Sequence, residues 1–151
     1  MSQTARDIMT SPAVTVSPAT SIKELARRFA DTGISGFPVV DELGGLVGVV
    51  TEADLLHQNE RLHIPTTFVL LEAVIMLGSS KKLEEEMLRM AAAEVAEIMT
   101  REPVTVMEDT PVPEVATLFA EQRVHTLPVL SAEGEVVGVI GKLDIIRTMA
   151  R

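Results

Sequence analysis

Apolar positions along the chain follow two rhythms, one of period two and one near 3.6, and their order predicts the elements. After Pro12, Ala13-Val14-Thr15-Val16 alternates as a half-buried strand does. Ile22, Leu25, Ala26 and Phe29 then fall at i, i+3, i+4 and i+7, which predicts an amphipathic helix with Thr20 as its cap. Two β-branched runs follow, Phe37-Pro38-Val39-Val40 and Leu46-Val47-Gly48-Val49-Val50, joined by the turn-forming stretch Asp41-Glu42-Leu43-Gly44-Gly45. A second helix is expected to begin near Thr51 and to carry Leu55-Leu56.

This pattern is written twice. Ile8-Met9-Thr10, Val14-Thr15-Val16, Pro38-Val39 and Gly48-Val49 recur ninety residues later as Ile98-Met99-Thr100, Val104-Thr105-Val106, Pro128-Val129 and Gly138-Val139. Aligning 8–56 with 98–146 needs no gap and yields roughly 18 identities in 49 positions. The helical stripe returns as Val112, Val115, Ala116 and Phe119, with Thr110 as the matching cap and Pro111 suited to the first helical position. The strands return as Leu127-Pro128-Val129-Leu130 and Val136-Val137-Gly138-Val139-Ile140, and the closing helix starts near Gly141 with Ile145-Ile146. Each unit therefore reads strand, helix, strand, strand, helix, an α/β (α+β) arrangement. A unit of about 50 residues buries too little surface to be comfortable alone, so the two are expected to pack face to face about a pseudo-two-fold axis. The division is 1–58, a connecting segment 59–95, and 96–151. Within the connection, 79–95 has helical spacing, whereas Phe68 to Leu77 is apolar nearly all round and must be covered by the module or by a subunit contact.

Composition narrows the function. The 151 residues are 46% apolar, ample for a core, and their mean hydropathy is +0.27. A net charge of −9 repels phosphate backbones and anionic lipid, and the absence of Trp and Tyr removes the usual base-stacking platforms, so neither nucleic acid nor membrane is an expected partner. Without cysteine there is no disulfide, thiolate nucleophile or thiolate metal site. The first residues lack the apolar run of a secretion signal, and a cytoplasmic location is the expectation. His57, His63 and His125 have no metal-ligand spacing, and neither a nucleophile elbow nor a Walker loop is present. Glu84-Glu85-Glu86 reads as a solvated helix face. No catalytic constellation emerges, and an enzyme is not expected.

Physics alone makes one kind of site plausible. At Thr51 a strand becomes a helix, so first-turn N–H groups and the helix dipole favour an anion such as phosphate. Asp54, three residues on, is placed for a carboxylate to accept two hydrogen bonds from ribose hydroxyls. The alternative is that Thr51 and Asp54 form an acidic capping box and nothing more. In the second copy Gly141 has no side chain for such a box, yet Asp144 remains, which favours the ligand reading.

Asp7-Ile8-Met9-Thr10, Gly33-Ile34-Ser35-Gly36-Phe37-Pro38-Val39-Val40-Asp41 and Gly48-Val49-Val50-Thr51-Glu52-Ala53-Asp54, with their second-copy counterparts, resemble the cystathionine-β-synthase (CBS) domain family in its tandem form, the Bateman module. The segments cover about two thirds of the chain, and their order, spacing and duplication make the resemblance specific. It implies a flat module that commonly dimerises and that binds adenine nucleotides in clefts between units. It also implies that the clefts cross: Thr51 and Asp54 would share a ligand with Thr100, Thr105, Val124, His125 and Thr126. Asp144, Gly141 and Lys142 would share one with Thr10, Thr15, Ile34, Ser35 and Gly36. Gly36, lacking Cβ, suits close approach of a flat ring, and His125 is a pH-sensitive candidate contact. Gly141 departs from the family's usual Ser or Thr, leaving that cleft to backbone N–H groups and Lys142. No cofactor is implied. The expected ligand is AMP, ADP or ATP, with S-adenosylmethionine also possible, and the expected partners are a second copy and an effector protein. The alternative is a scaffold that oligomerises without ligand.

Overall fold

A computed structural model describes residues 3–61 and 93–150. In chain order the elements are α1 (Ala5–Ile8), α2 (Ile22–Thr32), β1 (Gly36–Val40), β2 (Leu46–Thr51), α3 (Glu52–Arg61), a 3-10 turn (Val95–Glu97), β3 (Thr100–Arg101), β4 (Val106–Met107), α4 (Val112–Glu121), β5 (Thr126–Leu130), β6 (Val136–Gly141) and α5 (Lys142–Met149). The mixed α+β fold has two three-stranded sheets, ordered β1-β2-β3 and β4-β5-β6. In each, the paired β-branched runs form an antiparallel hairpin, β1 with β2 and β5 with β6, with Gly36 opposite Thr51 and Thr126 opposite Gly141.

The third strand of the first sheet comes from the other copy. Thr100 pairs with Val49 on β2, and Thr10 makes the equivalent bridge to Val139 on β6. The exchange extends outward along both arms. Thr4 bridges Pro111 just as Glu94 bridges Ser21. The Ala5 N–H donates to the Thr110 carbonyl at 2.8 Å, and the Val95 N–H to the Thr20 carbonyl at 2.9 Å. Each unit's leading arm thus completes the opposite unit's core. Val95 and Met99 belong to a cluster with Val16, Leu25, Phe29, Phe37, Val39 and Val50, and Ala5 joins Val106, Val115, Leu127, Val129 and Ile140. Burying a side chain such as Val95 contributes about 1.5–3 kcal/mol. Arg6 adds an ion pair to Glu108, whose hydrogen bond and charge raise the guanidinium pKa above its usual value.

The repeated Ile-Met-Thr and Gly-Val motifs are the two halves of this joint. A Cβ on Gly138 would lie 2.5 Å from the Met9 sulfur, and one on Gly48 would lie 2.9 Å from the Met99 sulfur and 2.8 Å from the Thr100 carbonyl oxygen. The strand glycine lets the arm's methionine and backbone lie directly on the sheet. No other residue type leaves that space.

Several local expectations are corrected. The α2 cap is Ser21, whose hydroxyl accepts from the Glu24 N–H at 3.1 Å, and Pro111 caps α4 instead of opening it. Thr20 and Thr110 turn their hydroxyls back to the N–H groups of Ser17 and Met107, closing the turn before each helix. Ala26 is exposed. Of the strand expected over 13–16 only Val16 pairs, in parallel with Val39, and its echo β4 is two residues long. The cause is the exchange, because the chain must cross from one sheet to the other between Thr10 and Val16. The helix expected over 79–95 does not reach its end, since Glu94 bridges Ser21 and Val95 opens a 3-10 turn. The remainder of that helix, the Phe68–Leu77 run, His63 and Glu84-Glu85-Glu86 lie outside the described residues.

Replacing either strand glycine by alanine should destabilise the fold by about 1–3 kcal/mol, the range for overpacking a tight contact. Gly48→Ala should be the worse, because a carbonyl must move as well as a flexible thioether. Urea unfolding of both variants checks the order, and Met9→Ala should relieve Gly138→Ala but not Gly48→Ala.

Candidate functional site

Where the two units meet, residues related by the repeat face one another. A Cβ on Gly36 would stand 2.2 Å from the hydroxyl oxygen of Thr126, its own counterpart, so the pseudo-two-fold axis passes between them. Their cross-strand partners, Thr51 and Gly141, are counterparts too. Each unit offers one threonine and one glycine at this junction, in opposite order. Thr126 is 5% exposed, held where Gly36 leaves room. The bare Cα of Gly36 leaves room for the Thr126 side chain.

Beside the axis lies a groove of about 670 Å³ built from both units. Its first-unit wall carries Thr10, Ala13, Val14, Gly33, Ile34, Ser35, Gly36, Thr51, Glu52, Ala53 and Leu56; its second-unit wall carries His125, Thr126, Val139, Gly141, Lys142, Leu143, Asp144 and Arg147. A volume of this order suits a small organic ligand, and apolar walls with a few convergent polar groups are the usual form of such sites. The charged residues are balanced, Glu52 and Asp144 against Lys142 and Arg147.

The helix starts decide what the polar groups can do. At α3 the Thr51 N–H donates to Asp54 Oδ2 at 2.8 Å, and the Asp54 N–H returns to the Thr51 hydroxyl at 3.4 Å. At α5 the Gly141 N–H donates to Asp144 Oδ2 at 2.7 Å. The expectation that glycine forbids a box is therefore only half right: the carboxylate-to-backbone half needs no side chain at the cap. The same half appears at Thr4 with Asp7 and at Glu94 with Glu97. Capping and ligand contact are compatible, since the cap uses Oδ2. In Asp144 the other oxygen, Oδ1, lies 3.8 Å from Arg147 Nη1. Because Gly141 supplies no hydroxyl, the first-turn N–H groups of α5 meet no side-chain acceptor from the cap residue.

The structure sorts the sequence candidates unevenly. Asp144, Gly141, Lys142, Thr10, Ile34, Ser35 and Gly36 line this groove, and of the set drawn around Asp54 so do Thr51, His125 and Thr126. Asp54, Thr100, Thr105, Thr15 and Val124 are not on its walls. Val124 packs on the second core, and the Thr15 carbonyl accepts from Arg28 at 3.4 Å. Ala13, Val14, Gly33, Glu52, Ala53, Leu56, Val139, Leu143 and Arg147 line the groove from outside those sets. Arg147 was detectable, one helical turn beyond Asp144 on the same face.

Two duplicated α+β units, arms exchanged and a groove between them, define a tandem-repeat module. The chain belongs to the CBS domain family, whose model matches residues 5–60 and 95–151. An uncharacterized protein of Methanocaldococcus jannaschii is 30% identical over 95% of this chain and 89% of its own length. The chloroplastic CBS domain-containing protein CBSX2 of Arabidopsis thaliana is 26% identical over 87% of this chain, which spans 56% of that protein. Among solved structures, CBSX2 in complex with AMP superposes with a TM-score of 0.73 at 25% identity, covering 98% of this chain and 96% of that one. The CBS domain pair of protein MJ0100, in complex with 5′-methylthioadenosine and S-adenosyl-L-methionine, gives 0.73 at 27% identity, covering 99% and 98%.

Gly36→Ala should destabilise the protein by about 1–3 kcal/mol through its clash with Thr126. Gly36→Ala/Thr126→Ala should recover at least half of that loss, a coupling that thermal unfolding of the double-mutant cycle measures.

Proposed function

We propose that the protein is a non-catalytic regulatory module that binds an adenosine-containing ligand in the groove between its CBS motifs and passes the bound state to a partner protein. One observation carries the reading: a single groove draws its walls from both units, so an occupant contacts both and biases their relative placement. Such a ligand shifts the balance between two arrangements only by its difference in affinity for them. The start of α5 supplies N–H groups and Lys142 for an anion, and Asp144 supplies a carboxylate whose direction is set by its cap. The AMP held by CBSX2 and the adenosine derivatives held by the MJ0100 pair support the ligand class. AMP, ADP, ATP and S-adenosylmethionine all fall within it. Within this proposal we place the ligand against Asp144 and the Thr10, Ile34, Ser35 and Gly36 side, with Thr51 and His125 also on the groove wall and Asp54 at the related cleft.

Isothermal titration calorimetry with these four compounds tests the proposal. At least one should bind in the micromolar to low-millimolar range, and Asp144→Ala should weaken it about tenfold or more, as expected on losing hydrogen bonds to a charged group. Silence from all four at millimolar concentration would favour the ligand-independent scaffold.

A second observation supports self-association. Leu56 on α3 is 65% exposed, and Leu143, Ile146 and Met149 on α5 are 63%, 55% and 76% exposed. Apolar side chains gathered on the two closing helices suit a contact with a second copy. Sedimentation should show a dimer that Ile146→Glu shifts toward monomer.

A further inference from the structure

The repeat makes Glu52 and Lys142 equivalent, since each is the first residue of a closing helix, following Thr51 and Gly141 respectively. Equivalent residues lie on opposite sides of the pseudo-two-fold axis, which runs between Gly36 and Thr126. Both nevertheless line the same groove. Both are exposed, and among the described residues neither makes an ion pair. Arg147, the other cation of the groove, is 3.8 Å from Asp144 and shares its charge with that carboxylate. The groove is thus framed by two units of one scaffold that differ in sign at one position: an anion on the first-unit side, an uncommitted cation on the second.

From this we infer that Lys142 and Glu52 are the groove's specificity residues, reading the charge of the ligand's phosphate tail and directing that tail toward α5. The inference rests on the proposal that an adenosine compound binds there, and adds which feature of that compound is discriminated. Lys142 stands beside the first-turn N–H groups of α5, so its attraction and theirs fall on the same anion. Glu52 repels a tail placed the other way round, so the ligand's orientation is set by a charge difference of two between symmetric positions. Each additional phosphate charge enlarges both effects, whereas adenosine feels neither. Because the two side chains are exposed, salt screens the discrimination.

The experiment is calorimetry with ATP, AMP and adenosine on wild type, Lys142→Met and Glu52→Lys, at low and high salt. The ATP-to-adenosine affinity ratio should fall by roughly 3- to 10-fold in Lys142→Met, the scale of one unit charge in a water-like dielectric, and rise by at least that factor in Glu52→Lys, which changes the charge by two. Both changes should shrink in high salt. Circular dichroism of the unliganded proteins checks folding, and Lys142→Gln and Glu52→Gln serve if either variant is unfolded. Ratios within twofold of wild type in both variants, with binding intact, overturn the specificity role and leave the nucleotide site standing. A wild type that binds none of the three compounds overturns the specificity role, and silence from ADP and S-adenosylmethionine as well overturns the nucleotide site.

Discussion

The structure depends on the exchange of arms between the two repeats. Each hairpin and helix pair is left with an open sheet edge and an uncovered apolar face, and the segment that closes them belongs to the other copy. Thr10 against Val139 and Thr100 against Val49 supply the edge; Ala5 in one core and Val95 with Met99 in the other supply the cover. The two cores are therefore not independent, and the groove lies between units joined by both arms. A half-chain would expose both an unpaired strand and a hydrophobic face, the combination that favours aggregation.

Much of this was legible in the residues. The helical stripes and β-branched runs set the elements because each carries a single strong periodicity, and the ninety-residue echo set their symmetry. What the periodicity could not convey was the destination of Ile8-Met9-Thr10 and Ile98-Met99-Thr100. A pattern of apolar positions says that a face is buried, not against which copy, and Met over Gly is a contact between residues about 130 or 50 apart in sequence. The caps were missed for a related reason: Thr20 and Ser21 are both competent, and the choice falls to the tertiary hydrogen bond that draws the Thr20 carbonyl to Val95.

At the groove, the candidates read from the sequence fall into two sets drawn around two clefts. The structure gathers most of them on one. Asp144 and Gly141 sit with Thr10, Ile34, Ser35 and Gly36 as the crossed arrangement requires, while Thr51, His125 and Thr126 reach the same space from across the axis. The opposition drawn between capping and ligand binding dissolves at the helix starts. A carboxylate with one oxygen tied to the backbone is oriented in advance, which lowers the entropy lost when a ligand engages the other.

The arm exchange also sets an order of events during synthesis. Arg6 pairs with Glu108 and the Ser11 hydroxyl with the Val137 carbonyl, so the first repeat's arm leaves the ribosome long before the seats it occupies in the second repeat. Contacts of such long sequence separation close slowly. Until they do, the nascent first unit presents the very edge that its twin's arm will occupy, and a neighbouring chain carrying the same arm is an equally good fit. Linking the two copies in one polypeptide raises the local concentration of the correct arm over that of any rival, which is a physical reason for this fold to be encoded as a tandem.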